Sequence, residues 1–277
     1  MSHSVVSLVY TFGFIMDLQL SGKTALVLAA SKGLGRASAM ALAAEGADVV
    51  IGARNKEQLD KTADEIRAAS KVNVHAVTVD VRDTGGVENF VAIAAEKFGK
   101  IDILVNNAGG PPFGLFESFD DQAWQEAFEL NLLSVVRFSR LVVPHMRKTG
   151  SGRIINITSL SVKTFLPGSV LSTSLRMGVV GVAKMLSNEL GKDNITVNNI
   201  APGFILTDRI KETLFKDAKA GEDAEVLLAE RVKDIPLKRI GKPEELGALV
   251  AFLASPLAAY ITGTTIQIDG GAVKAPY

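Results

Sequence analysis

The run Ala29-Ala30-Ser31-Lys32-Gly33-Leu34-Gly35-Arg36 follows a short apolar segment and leads directly into a helical pattern. A glycine-rich turn between a strand and a helix lets backbone N–H groups and the positive helix end approach a pyrophosphate. Gly33 removes the Cβ that would block the phosphates, and Gly35 permits close helix–strand packing. Ala29, Ser31, Lys32 and Leu34 complete the candidate contacts of this loop. The second apolar run ends Ile51-Gly52-Ala53-Arg54-Asn55. An acid at the position of Ala53 would hydrogen-bond the ribose hydroxyls of NAD. Arg54 instead offers a guanidinium that can pair with a 2′-phosphate, and Lys32 offers a second positive charge. The expected cofactor is therefore NADP(H) in preference to NAD(H).

Other chemistries are excluded by composition. The 277 residues contain no cysteine, so disulfides, thiolate zinc sites and a cysteine nucleophile are ruled out. His3, His75 and His145 have no metal-ligand spacing, and no metal is expected. Net charge is zero with a pI near 6.9, which points to neither nucleic acid nor an anionic membrane surface. The apolar stretch Val5–Met16 is too short to span a bilayer, and it lacks the features of a signal peptide. Residues 1–16 are read as an N-terminal extension, 17–277 as the folded domain, and the protein as cytoplasmic.

Seven apolar runs must position these residues: Thr24–Ala29, Asp48–Ala53, His75–Val79, Ile101–Asn106, Arg153–Thr158, Thr196–Ile200 and Thr264–Ile268. They are near-continuous rather than alternating, as parallel strands covered on both faces require. Helical patterns fill the gaps. One runs from about Ala37 to Glu45 and stops at Gly46, which suits a left-handed cap. Another carries Leu59, Ala63 and Ile66 behind Asn55, a good N-cap. The expected fold is α/β: a single-domain, doubly wound (Rossmann) parallel sheet of seven strands with helices on both faces. Thr207–Leu237 departs from this rhythm and reads either as a helical excursion over a site or as a solvated helix pair.

Further motifs follow in order. Asp80-Val81 succeeds the third strand, and Asn106-Asn107-Ala108-Gly109 the fourth. Pro202-Gly203 with Thr207, and Asp269-Gly270-Gly271, close the series. Over roughly residues 18–272 the chain resembles the short-chain dehydrogenase/reductases, and within them the 3-oxoacyl-carrier-protein reductases. The family loop reads T-G-x-x-x-G-x-G; here Leu28 and Ala29 stand in the first two places. The methyl of Ala29 narrows the turn and is compatible with binding if φ there is negative. The resemblance implies that Asp80 and Val81 contact adenine, that Asn107, Ala108 and Gly109 flank the cofactor, and that Pro202, Gly203 and Thr207 hold the carboxamide.

The same resemblance implies hydride transfer between a nicotinamide and a carbonyl or alcohol of a small molecule. Asn131 falls where a water-relay asparagine is expected, and Ser159 where a serine polarises the carbonyl. The family's tyrosine and lysine positions hold Ser172 and Arg176. No tyrosine occurs between Thr11 and Ala259. An aliphatic hydroxyl titrates far above a phenol and is a poor proton donor. Arg176 stays charged, yet it can still bond a ribose or an oxyanion. Lys163, on the loop after the fifth strand, is a candidate acid or a solvated lysine. Two functions remain: an NADP(H)-dependent oxidoreductase with an atypical proton donor, or a catalytically silent dinucleotide sensor. A methyltransferase on a similar sheet is disfavoured by the absence of an acid near Ala53. Relatives pair through helices equivalent to Gln122–Met146 and Thr173–Leu190, so a homotetramer is expected.

Overall fold

The computed structural model describes residues 17–208, 210, 228, 230 and 232–274; the N-terminal extension and most of Thr207–Leu237 lie outside these residues. Seven strands are present: β1 (Thr24–Leu28), β2 (Asp48–Ala53), β3 (Val74–Thr78), β4 (Ile103–Asn106), β5 (Gly152–Ile157), β6 (Ile195–Pro202) and β7 (Thr265–Ile268). All are parallel, in the order β3-β2-β1-β4-β5-β6-β7. The order reverses beside β1, so the crevice at its carboxyl end is the topological switch point where such sheets bind ligands. Every expected strand is found, displaced by no more than a few residues at either end.

Helices cover both faces. One layer contains α1 (Gly33–Ala44), α2 (Lys56–Ala69) and α7 (Pro243–Ala254). It buries Leu42, Leu59, Ile66, Leu246 and Val250 in one core with residues of β1, β2, β4 and β5. The other layer contains α3 (Thr84–Phe98), α5 (Ser134–Thr149) and α6 (Val170–Leu190). Its core includes Phe90 and Phe138, whose rings meet edge to face with centroids 5.8 Å apart. The short α4 (Asp121–Phe128) runs into a π-helical turn, Glu129–Leu133, before α5 begins. As expected, Asn55 caps α2, its side chain accepting from the Gln58 N–H at 2.9 Å. Gly46 is left-handed at φ 88°, but α1 begins at Gly33, four residues before the periodicity signals it. The glycine-rich segment carries no apolar stripe, so only its hydrogen bonds mark it as helix.

A polar rung crosses β4, β5, β6 and β7. Asn106 on β4 is paired in register with Asn156 on β5, Asn156 with Asn199 on β6, and Asn199 with Thr265 on β7. Each Nδ2 donates to the next oxygen, at 2.9, 2.9 and 3.1 Å. The three carboxamides are buried, so a one-residue slip of any strand would orphan several polar groups at once. Replacing Asn156 by Ala removes a donor and an acceptor from the middle of the rung. Urea denaturation should show a loss of roughly 2–4 kcal/mol, against about 1 for Thr265→Ala at the edge.

Candidate active site at the carboxyl edge of the sheet

The phosphate loop is built by backbone constraint. Gly33 has φ 59°, a conformation that side chains resist, and a Cβ there would lie 3.4 Å from the Thr207 methyl. A Cβ on Gly35 would meet the Ala29 carbonyl oxygen at an impossible 2.3 Å, so only glycine lets α1 start this close to β1. The cap residue Lys32 is extended, and its side chain makes no capping hydrogen bond. No acid occupies the first turn of α1. The helix therefore presents its first N–H groups and its positive end without a side-chain acceptor or counter-charge, which fits a diphosphate.

Ala29 departs from expectation. Its φ is +48°, so the condition of a negative angle is not met, and an alanine holds a left-handed position that suits glycine. The Gly52 carbonyl accepts from the Ala30 N–H at 3.1 Å and Asn107 Nδ2 donates to the Leu28 carbonyl at 3.3 Å, pinning the loop on both sides of Ala29. The surrounding bonds impose this strain rather than relieve it.

Further candidates line the same edge. Arg54 and Lys32 are exposed at the β2 and β1 ends. Val81 is buried, and half-buried Asp80 is gripped by Arg82, whose Nη2 lies 2.7 Å from Oδ2. The hydrogen bonds from Arg82 hold the Asp80 carboxyl below the ordinary aspartate range; Arg54 adds a smaller contribution, so its charge reaches Asp80. Gly203 follows the end of β6, and Pro202 is that strand's last residue. Thr207 accepts from the Ile210 N–H at 3.4 Å.

The chemical candidates lie after β5, on α6 and in the π turn, and of them Asn131 and Arg176 line a common cavity. Ser159 is extended and half-buried, and its Oγ accepts from the Ser161 N–H at 3.2 Å. Ser172 and Arg176 are one turn apart on α6, so they share a face. Ser172 is half-buried. Arg176 is buried and donates from Nη1 to the Ile157 carbonyl at 2.8 Å, folding its charge against the end of β5. Asn131 is buried in the π turn and donates from Nδ2 to the Gly109 carbonyl at 2.9 Å. Asn107, Ala108, Asn131 and Arg176 line one small cavity with Asn106 and Ile157. Lys163 is half-buried at the end of the single turn Leu160–Val162 and joins no salt bridge among the described residues. Tyr260 is fully exposed, and Tyr10 and Tyr277 lie outside the described residues.

Two features escape motif reading: the π turn and the asparagine rung. The turn is set by the extra residue that brings Asn131 inward and leaves no periodic signal. The rung has a signal, an asparagine near the end of each of three successive apolar runs, but its meaning depends on register.

Comparison with known proteins places this geometry. The family described as Enoyl-(Acyl carrier protein) reductase matches residues 28–273. The chain belongs to the short-chain dehydrogenase/reductase family. It is 39% identical to dehydrogenase/reductase SDR family member 4 of Caenorhabditis elegans, over 91% of this chain and 96% of that protein. It is 40% identical to a 3-oxoacyl-[acyl-carrier-protein] reductase of Synechocystis, over 92% of this chain and 98% of that protein. Among solved structures it resembles L-sorbose reductase of Gluconobacter frateurii, complexed with NADPH and L-sorbose. That likeness has a TM-score of 0.89 at 37% identity, over 94% of this chain and 100% of that one. Among the described residues no helix is long and apolar enough to cross a membrane.

In this short-chain dehydrogenase/reductase the strained loop is a point of stored cost. Ala29→Gly should raise stability by about 1 kcal/mol, measured by urea or thermal denaturation, because glycine accepts φ +48° without steric penalty.

Proposed function

We propose that this protein is an NADP(H)-dependent oxidoreductase that transfers a hydride between the coenzyme and the carbonyl or alcohol of an apolar small molecule. The observation that carries this reading is the start of α1: an uncapped helix end behind Gly33 and Gly35, with Lys32 and Arg54 exposed beside it. The bound coenzyme supplies the hydride. This chain's residues supply position and charge. Main-chain amides of the loop hold the diphosphate, Arg54 and Lys32 face the 2′-phosphate, and Asp80 with Val81 meets the adenine. Ser159 donates to the substrate oxygen, and Arg176 supplies positive potential at the same end of β5. Ser172 cannot replace a phenol as acid, so the proton comes from Lys163 or from solvent in the open cleft.

The substrate class follows from the loops above Ser159. The segments after β4 and β5 are joined by a bond from the Gly114 N–H to the Gly168 carbonyl at 2.9 Å. On them Phe113, Leu115, Phe116 and Phe165 are all more than half exposed. Such a concentration of exposed apolar side chains beside a catalytic cleft favours an aryl or alkyl carbonyl over a polyhydroxylated one. We also propose a cytoplasmic homotetramer. Met177, Gly181 and Met185 form an exposed stripe at i, i+4 and i+8 on α6, suited to a second copy, and sedimentation velocity reads that state directly.

A second reading, coenzyme binding without turnover, is supported by the Arg176 guanidinium bonding the Ile157 carbonyl. Two measurements separate the readings. By calorimetry the protein should bind NADPH more tightly than NADH. Arg54→Ala should weaken NADPH by roughly tenfold while leaving NADH nearly unchanged, as expected for one exposed charge-assisted contact. Failure to bind either coenzyme would overturn both readings. The double change Ser172→Tyr, Arg176→Lys should then raise the rate of carbonyl reduction at 340 nm by about 10²-fold or more. Unchanged rates in a folded, coenzyme-binding variant would remove Ser172 from the reacting centre.

A further inference from the structure

Thr62 stands in the interior of α2, on the face that also buries Leu59, Ala63 and Ile66, and it is fully buried. A threonine in such a place ordinarily turns its hydroxyl back to the carbonyl four residues earlier. Here Oγ1 lies 3.1 Å from that carbonyl, of Gln58, and 2.9 Å from the Ser31 carbonyl on the phosphate loop, to which it donates. The Ser31 carbonyl has no other donor among the described residues. A second link joins the same two segments: Arg36 Nε, in the first turn of α1, lies 2.8 Å from Glu65 Oε2 on α2. The start of α1 is therefore bonded to α2 at two points, and α2 itself begins directly behind Arg54, with Asn55 as its cap.

The bond to Ser31 has a directional consequence. In a trans peptide the C=O and the following N–H point in opposite directions. Drawing the Ser31 carbonyl toward α2 turns the Lys32 N–H away from α2. That N–H finds no acceptor among the described residues, and Lys32 is exposed. We propose that Thr62 is a positioning residue for the coenzyme diphosphate: its hydroxyl fixes the Ser31–Lys32 peptide so that the Lys32 N–H faces the phosphate oxygens before the ligand arrives. The proposal rests on the oxidoreductase reading and adds a residue of α2 to it. Fixing the peptide in advance removes an ordering cost from binding. A hydroxyl that merely satisfied its own helix would hold the fold without discriminating among ligands.

Binding measurements test it without turnover. The probes are NADPH, NADH and adenosine 2′-monophosphate, which carries the adenine and the 2′-phosphate but no diphosphate. Thr62→Val keeps the shape and removes the donor, and it should weaken NADPH and NADH alike by about tenfold, leaving adenosine 2′-monophosphate unchanged. Arg54→Ala affects NADPH alone, so the two patterns are separable. Thr62→Ser restores the hydroxyl and should bind all three probes as the unaltered protein does. Unchanged coenzyme affinities in the folded valine variant, or equal weakening of all three probes, would overturn the proposal and leave the oxidoreductase reading standing. If the unaltered protein binds neither coenzyme, that reading falls and this proposal with it. Should the valine variant not fold, NMR of the unaltered protein decides: saturation with NADH should move the Lys32 amide proton downfield, and an unmoved signal overturns the assignment.

Discussion

The carboxyl edge of the sheet is held in register by a row of buried carboxamides. Asn106, Asn156 and Asn199 each give a hydrogen to the next strand, and Thr265 closes the series. Strands with near-continuous apolar sequences have little else to prevent slippage, because the apolar residues on the two faces are nearly interchangeable. A polar position aligned across β4, β5, β6 and β7 removes that freedom. Any other alignment leaves a donor or acceptor unpaired in a water-free interior. The rung lies at the end of β4 and one residue before the end of β5, so its geometry sets the height from which the loops carrying Asn107 and Ser159 depart.

The phosphate loop shows the opposite relation between sequence and backbone. There the conformation is fixed by space: α1 starts so close to β1 that a Cβ on Gly35 would penetrate the Ala29 carbonyl. Ala29 takes a left-handed angle because its neighbours are bonded to β2 and to Asn107, and the cost is carried by the rest of the fold. A loop that tolerates this strain has a geometry set by the surrounding sheet, which explains how the segment can depart from the usual glycine without losing its path.

Around Ser159 the chain keeps the scaffold of its family, with Ser172 and Arg176 one turn apart on α6. Asn131 is bonded to the Asn107–Gly109 segment, Ser159 follows β5, and Arg176 sets a charge that cannot be discharged against the end of that strand. A fixed positive charge still stabilises an oxyanion, but it cannot relay a proton as a lysine does. In the proposed reaction electrostatic stabilisation and proton supply, which a neighbouring phenol and amine would combine, are separated. There the proton-carrying role passes to groups on the open side of the cleft, of which Lys163 is the ionisable one on the loop after β5.

The sequence alone determined the architecture. Seven apolar runs of strand length, separated by helical patterns, admit few arrangements once parallel crossovers must be right-handed. The glycine spacing and the order of the later motifs located the crevice, and Asn55 and Gly46 marked a helix start and a helix end through their local hydrogen-bonding and torsional preferences. Local chemistry acts over a few residues, and so it can be read from a string. Tertiary structure alone decided the sign of φ at Ala29, the inward π turn at Asn131, and the union of three distant asparagines into one rung. It also set Arg176 against the Ile157 carbonyl. Each of these depends on which segments lie side by side, and register is a property of the folded pair rather than of either strand.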